Sequence, residues 1–150
     1  MNINFIISHI RDRPYMSGVE RSEQRIIERQ EVFTPSASAI DGLEKLDQSY
    51  FKDPEQDFID PCCGDGTLLG EALIKKCQNG IDFEKALNKI KGCDIEPSNV
   101  EATKNRLLCE REDLRPIVDK NIIVGDALEL DLLFGEEKSF GPNDLFTIQP

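Results

Sequence analysis

Apolar positions in this chain fall into short continuous runs separated by longer stretches of helical spacing. After a polar stretch from Gly18 to Glu31, broken by Ile26 and Ile27 and predicting an exposed helix, Phe33-Thr34-Pro35 interrupts the pattern. Thr34 precedes a proline and is biased toward extended backbone. Ser36 or Ser38 is placed to cap a following helix that carries Ile40, Leu43 and Leu46. Asp53-Pro54 predicts a turn. Phe58 and Ile59 predict a short strand that ends at Asp60-Pro61, and Leu68, Leu69, Ala72, Leu73 and Ile74 predict a helix stopped at Gly80. Phe83, Ala86, Leu87 and Ile90 share helical spacing, and Gly92 to Ile95 reads as a second strand. Pro97 opens a helix with Val100, Leu107 and Leu108. A linker around 113–119 then leads to a third strand at Asn121 to Gly125, and a fourth is expected at Asp144 to Ile148.

Strands alternating with helices, the strands being short apolar runs, predict an α/β fold: a parallel sheet with helices on both faces. Ligands in such sheets bind beyond the carboxyl ends of the strands. The organisation expected is an N-terminal helical arm over residues 1–30 and a ligand-binding domain over 31–150.

Those strand ends are acidic. Phe58-Ile59-Asp60-Pro61-Cys62-Cys63-Gly64-Asp65-Gly66-Thr67 delivers a carboxylate, then a tight turn, then a helix. Gly64 and Gly66 permit positive φ and close approach of backbone to a ligand. The pattern is neither a G-x-G-x-x-G dinucleotide turn nor a P-loop with its lysine. A carboxylate at that tip would repel a pyrophosphate and suits a cationic or hydroxyl-bearing ligand, and S-adenosylmethionine offers an ammonium and a sulfonium. One unit on, Asp94 stands at the second strand end, where an acid can accept hydrogen bonds from two ribose hydroxyls. Asp126-Ala127 follows the third strand, where an Asp can accept from an adenine amino group. Each acid has a plainer reading as well: an ordinary strand-to-helix turn, an acidic helix start favoured by the dipole, or a helix cap. Three acidic strand tips in register favour a shared site.

The order EVFTP, FIDPCCGDGTLLGEAL, GCDIEPSNVEATKNRL, NIIVGDAL resembles the adenine-specific DNA methyltransferases, especially the branch related to type I modification subunits, and also short methylase-like proteins of large tailed phages. The resemblance runs from Glu31 to Pro150. It implies a class I S-adenosylmethionine-dependent methyltransferase fold, Rossmann-like, incomplete after the fourth strand. It implies that Phe33, Thr34 and Pro35 close over the methionine end of the cofactor. Asp60 with the turn Cys62, Gly64 and Gly66 would hold the amino acid moiety. Asp94 would hold the ribose, Ile95 would pack on the adenine ring, and Asp126 with Ala127 would read the adenine edge. The family's catalytic motif is an Asn or Asp, two prolines and an aromatic that stacks on a base swung out of the duplex. Here Gln149 stands in the Asn position and Pro150 at the first proline. The implied function is therefore site-specific DNA adenine methyl transfer with the cofactor-binding half present. The other function carried forward is a non-catalytic S-adenosylmethionine-binding or protein-interaction module with an anti-restriction or cofactor-sequestering role.

Charge bears on the partner. The chain holds 18 basic and 29 acidic residues, net −11. Affinity for DNA rests largely on phosphate neutralisation by basic residues, so independent DNA binding is expected to be weak. The arginine run Arg11, Arg13, Arg21, Arg25 and Arg29 is interleaved with acids and reads as a salt-bridged solvated helix. An open edge along the last strand predicts self-association or a partner chain there. The five cysteines form no C-x-x-C and have one histidine, His9, in the whole chain for company, so no metal site is expected and the thiols read as buried. The N-terminus lacks the leading positive charge and cleavage site of a secretory signal, and no apolar stretch approaches the ~20 residues of a membrane span. The expected location is the cytoplasm, that of a host cell if the chain is phage-encoded.

Overall fold

A computed structural model of the chain describes residues 1–12 and 34–129. The elements are α1 (Ile3–Arg11), α2 (Ser36–Glu44), α3 (Ser49–Lys52), β1 (Phe58–Asp60), α4 (Thr67–Gln78), α5 (Phe83–Asn88), β2 (Ile90–Asp94), α6 (Pro97–Leu108), α7 (Arg115–Asn121) and β3 (Ile122–Val124), with 3-10 turns at Glu112–Leu114 and Ala127–Glu129. The three strands form one parallel sheet in the order β1-β2-β3. The protein thus has an α/β fold, a three-stranded parallel sheet flanked by helices. The fourth strand expected at 144–148, the edge it would supply, and the helix expected over 18–31 lie outside the described residues.

Side-chain alternation gives the sheet two unlike faces. Ile90, Gly92 and Ile122 point to one face and are buried, and a Cβ placed on Gly92 would lie 2.7 Å from Leu69 Cδ1 of α4. The crossover helices α4 and α6 touch each other and both touch β2, which only helices on the same face can do. The hydrophobic core lies between that face and these helices, with Leu69, Leu73, Leu107 and Leu108 at its centre. On the other face Ile59, Lys91 and Ile123 are half-exposed and Cys93 is buried, and none of the four belongs to the core cluster. The expectation of helices on both faces is therefore met, among the described residues, on one face only. A run of apolar residues marks a strand as buried, but three strands of three to five residues leave little alternation from which to read a second covering layer.

α1 adds a further layer. Ile6 and Ile10 are buried against α4, and Arg11 grips Glu71 of α4 with Nη2 to Oε2 at 2.7 Å and Nε to Oε1 at 3.0 Å. α4 is also braced from its far end. Lys76, 1% exposed, sends its ammonium to the carbonyls of Tyr50, Asp53 and Gln56 at 3.3, 3.1 and 2.7 Å, so all three donors are used and the 50–56 turn is held to the helix.

Four local expectations are corrected. No serine side chain caps α2: Pro35 occupies the N-cap, and the helix ends at Glu44, leaving Leu46 exposed. Ile90 belongs to β2, where it is fully buried on the helix-covered face, and the helix preceding it stops at Asn88. The linker around 113–119 is a 3-10 turn followed by α7, which a proline near its start initiates and which buries Val118. The cysteines are not uniformly buried. Cys63, Cys93 and Cys109 are, Cys77 is half-buried, and Cys62 is exposed.

Candidate functional site

The three strand ends meet the N-terminal ends of α4 and α6. Asp60 pairs with Gly92 in the ladder, and Asp94 pairs with Val124. Each acid therefore stands two residues beyond the last pairing partner of its neighbour, Asp94 beyond Gly92 and Asp126 beyond Val124. The three tips form a staircase rather than the level row expected, with a step of roughly 7 Å at the usual strand rise. Alternation puts Asp60 and Asp94 on the face that α4 and α6 cover.

The turn between β1 and α4 needs its glycines. Gly64 has φ 52° and Gly66 has φ 77°, both in the left-handed region. A Cβ on Gly66 would also lie 2.7 Å from Thr103 Cγ2 of α6. The turn is pinned to β2 by the Cys63 amide, which donates to the Cys93 carbonyl at 2.9 Å, and closed by the Gly66 amide on the Cys63 carbonyl at 2.8 Å.

Asp94 is the hub. Its Oδ2 accepts from the Gly64 amide at 2.9 Å, and its Oδ1 accepts from the Glu96 amide at 2.9 Å and from Asn99 Nδ2 at 3.2 Å. Asp60 uses Oδ1 to accept the Cys62 amide at 3.1 Å. Asp126 uses Oδ1 to accept the Leu128 amide at 2.9 Å, capping the short turn that carries Ala127. Neither Asp60 nor Asp126 has a cationic partner among the described residues.

Electrostatics follow from that arrangement. Burial pushes the Asp60 carboxyl up, and the nearby Asp94 charge pushes it the same way, while the Cys62 amide opposes both. Burial also raises the Cys62 thiol, and Asp60, Asp94 and Asp126 each raise it further, so all three carboxylates lie within electrostatic reach of that sulfur. Cys93, ringed by the same acids, is pushed up to about 11, chiefly by burial. The thiolate is the reactive form, and the surroundings oppose it.

Apolar surface borders the acids. Ile95, next to Asp94, is 67% exposed, and Val124 and Leu128, flanking Asp126, are 52% and 92% exposed. Anionic acceptors beside an open apolar ledge suit a ligand that is cationic at one end and flat and apolar at the other. Two grooves of about 390 and 220 Å³ lie elsewhere, the first along α5 and Ile117, the second between α1 and Phe83. Among the described residues no group of three or more His, Cys, Asp or Glu is arranged to hold a metal ion, and no helix is long and apolar enough to cross a membrane.

Of the residues singled out in the sequence, Asp60, Cys62, Gly64, Gly66, Asp94, Ile95, Asp126 and Ala127 gather at these strand ends. Thr34 and Pro35 are exposed at the start of α2, and no described hydrogen bond links them to the carboxylates. Phe33, Gln149 and Pro150 lie outside the described residues. Five residues of the site had no role read from the sequence: Asp65, Thr67, Asn99, Thr103 and Arg106, all buried. For Asn99, Thr103 and Arg106 the signal was present as polar residues interleaved with Val100 and Leu107 at helical spacing, legible only once that face of α6 is known to point inward. No family model, curated protein or solved structure matches this chain.

Proposed function

We propose that the chain binds S-adenosylmethionine at the three strand ends and is a DNA adenine methyltransferase-like protein. One observation carries the reading: Asp60 and Asp126, without cationic partners among the described residues, flank Asp94 at a glycine turn beside the exposed side chain of Ile95. A half-buried carboxylate with no cation beside it favours a ligand that brings one.

In this reading Asp60 and the turn from Cys62 through Gly64 to Gly66 hold the amino acid end. Asp94 takes the ribose hydroxyls, Ile95 packs on the adenine, and Asp126 with Ala127 meets its amino edge. Phe33, Thr34 and Pro35 cover the methionine end. S-adenosylmethionine supplies an electrophilic methyl group on its sulfonium. The protein's part in transfer is to align an amine with it, a task in which a displacement of about 1 Å costs on the order of 100-fold in rate. Gln149 and Pro150 are the residues assigned to the target base.

A second reading, cofactor binding without transfer, is favoured by Gln149, whose amide sits on a longer arm than the family's Asn, and by the net charge of −11.

Calorimetric titration of the full chain with S-adenosylmethionine tests the proposal. Binding is expected, with Asp60→Asn weakening it roughly tenfold or more, the usual worth of a hydrogen bond to a charged group. A native chain that does not bind overturns the reading. Transfer of a tritiated methyl group to DNA separates the two versions: label on DNA supports the enzyme, and binding without label supports the module.

A further inference from the structure

α6 turns a polar stripe toward the glycine turn. Asn99, Thr103 and Arg106 stand at i, i+4 and i+7, one face of a helix, and are buried to 1%, 0% and 5% exposure. A polar side chain buried in a core costs free energy unless it is bonded, and all three reach the turn or its partner acid. Asn99 donates to Asp94 Oδ1 at 3.2 Å, and the Thr103 hydroxyl donates to the Gly64 carbonyl at 3.0 Å. Arg106 donates through Nη1 to Thr67 Oγ1 at 2.6 Å and through Nη2 to Asp65 Oδ2 at 3.2 Å. Thr67 closes the ring by donating its hydroxyl to Asp65 Oδ1 at 2.8 Å. Both polar groups of Gly64 are therefore claimed from other elements: its N–H by Asp94 and its C=O by Thr103.

We propose that Thr103 and Arg106 are positioning residues: from one helix away they set the orientation of the Gly64–Gly66 peptides and so the ability of that turn to hold a ligand. Its ligand-binding consequence rests on the S-adenosylmethionine reading. The geometry explains why α6 carries buried polar groups where leucine would pack. A left-handed backbone at two glycines has no side chains of its own to fix it. Hydrogen bonds from α6 supply the constraint, as supporting groups do for residues that contact a ligand directly.

Three variants of the full chain carry the test: Thr103→Val, which keeps the shape and deletes the hydroxyl; Thr103→Ser, which keeps the hydroxyl; and Arg106→Lys, which keeps the charge and loses the fork. Amide hydrogen exchange at Gly64 to Thr67 is read against Leu73 and Ile74 in the middle of α4. In Thr103→Val the turn amides are expected to exchange about tenfold faster, as loss of one buried hydrogen bond implies, with the α4 amides unchanged. S-adenosylmethionine affinity is expected to fall by roughly the same factor, and Thr103→Ser to restore both. Arg106→Lys should move both readouts in the same direction as Thr103→Val. Unchanged turn exchange in Thr103→Val overturns the proposal, as does exchange that quickens equally throughout α4. If turn exchange quickens selectively while the native chain binds no S-adenosylmethionine, the positioning role stands and the cofactor reading falls. If the native chain binds and Thr103→Val quickens the turn without weakening binding, the link from turn to ligand is overturned while the cofactor reading stands.

Discussion

Asp94 accepts the Gly64 amide through Oδ2 at 2.9 Å, joining the end of β2 to the turn that follows β1 across thirty residues of sequence. The same carboxylate holds the Glu96 amide and the Asn99 side chain. One side chain thus ties together two strand-to-helix connections, and the shape of the candidate site depends on it whether or not a ligand is bound.

Replacing that hub should be felt in the fold as well as in binding. Asp94→Ala orphans three donors, and a loss of about 2–3 kcal/mol is expected from hydrogen bonds worth ~1 kcal/mol each. Asp94→Asn keeps an oxygen acceptor and should lose less than half as much. Urea denaturation of the two variants checks the difference. Equal stability of native chain and Asp94→Ala would mean that the three bonds do no more than water would.

The Asp60 carboxyl has an unusual pH signature. Its folded value is raised above the ordinary 3.8, first by burial and then by Asp94. Below the ordinary value both folded and unfolded chains hold the proton and the group contributes nothing. As pH climbs through 3.8 and on through the raised folded value, the unfolded chain releases its proton first, so stability falls. Above that window the ionised group is a constant penalty. Asp60→Asn should therefore gain thermal stability relative to the native chain as pH rises from acid to neutral, while losing S-adenosylmethionine affinity. Thermal melts of both proteins across that range read the effect, and parallel curves would refute it.

Docking of α1 rests on a close approach. A Cβ on Gly70 would lie 2.7 Å from Ile10 Cγ2, whereas one on Gly42 meets nothing within 4 Å. Gly70→Ala should destabilise by about 1–3 kcal/mol through overpacking, and Gly42→Ala, in the body of α2, should stabilise by roughly 0.5–1 kcal/mol. Arg11→Met leaves Glu71, 3% exposed on its side chain, without its partner. A loss of ~2 kcal/mol is expected, short of a fully buried pair because Arg11 is itself part-exposed. Chemical denaturation of the three variants gives the ranking, and a Gly70→Ala as stable as the native chain would place α1 off the core.

What the sequence determined by itself is local. Apolar runs ending in Asp60 and Asp94 announce strands that end in acids, Gly64 and Gly66 announce a left-handed turn, and Pro97 announces a helix start. Each depends on neighbours within a few residues; β1, the glycine turn and the helix start are found where the pattern puts them, while β2 runs Ile90–Asp94 rather than Gly92 to Ile95. What tertiary structure decided is everything that turns on which face points inward. Ile90 reads as helical by spacing, yet parallel pairing with Phe58 makes it the first residue of β2, buried in the core. Asn99, Thr103 and Arg106 read as ordinary polar positions, yet packing of α6 against α4 aims them at the glycine turn. The level row of acids becomes a staircase because pairing in the ladder sets each strand two residues off its neighbour. Periodicity along a chain records that a face is apolar or polar. It does not record what the face meets, and the energies of burial and of hydrogen bonds across thirty or forty residues are set by that meeting.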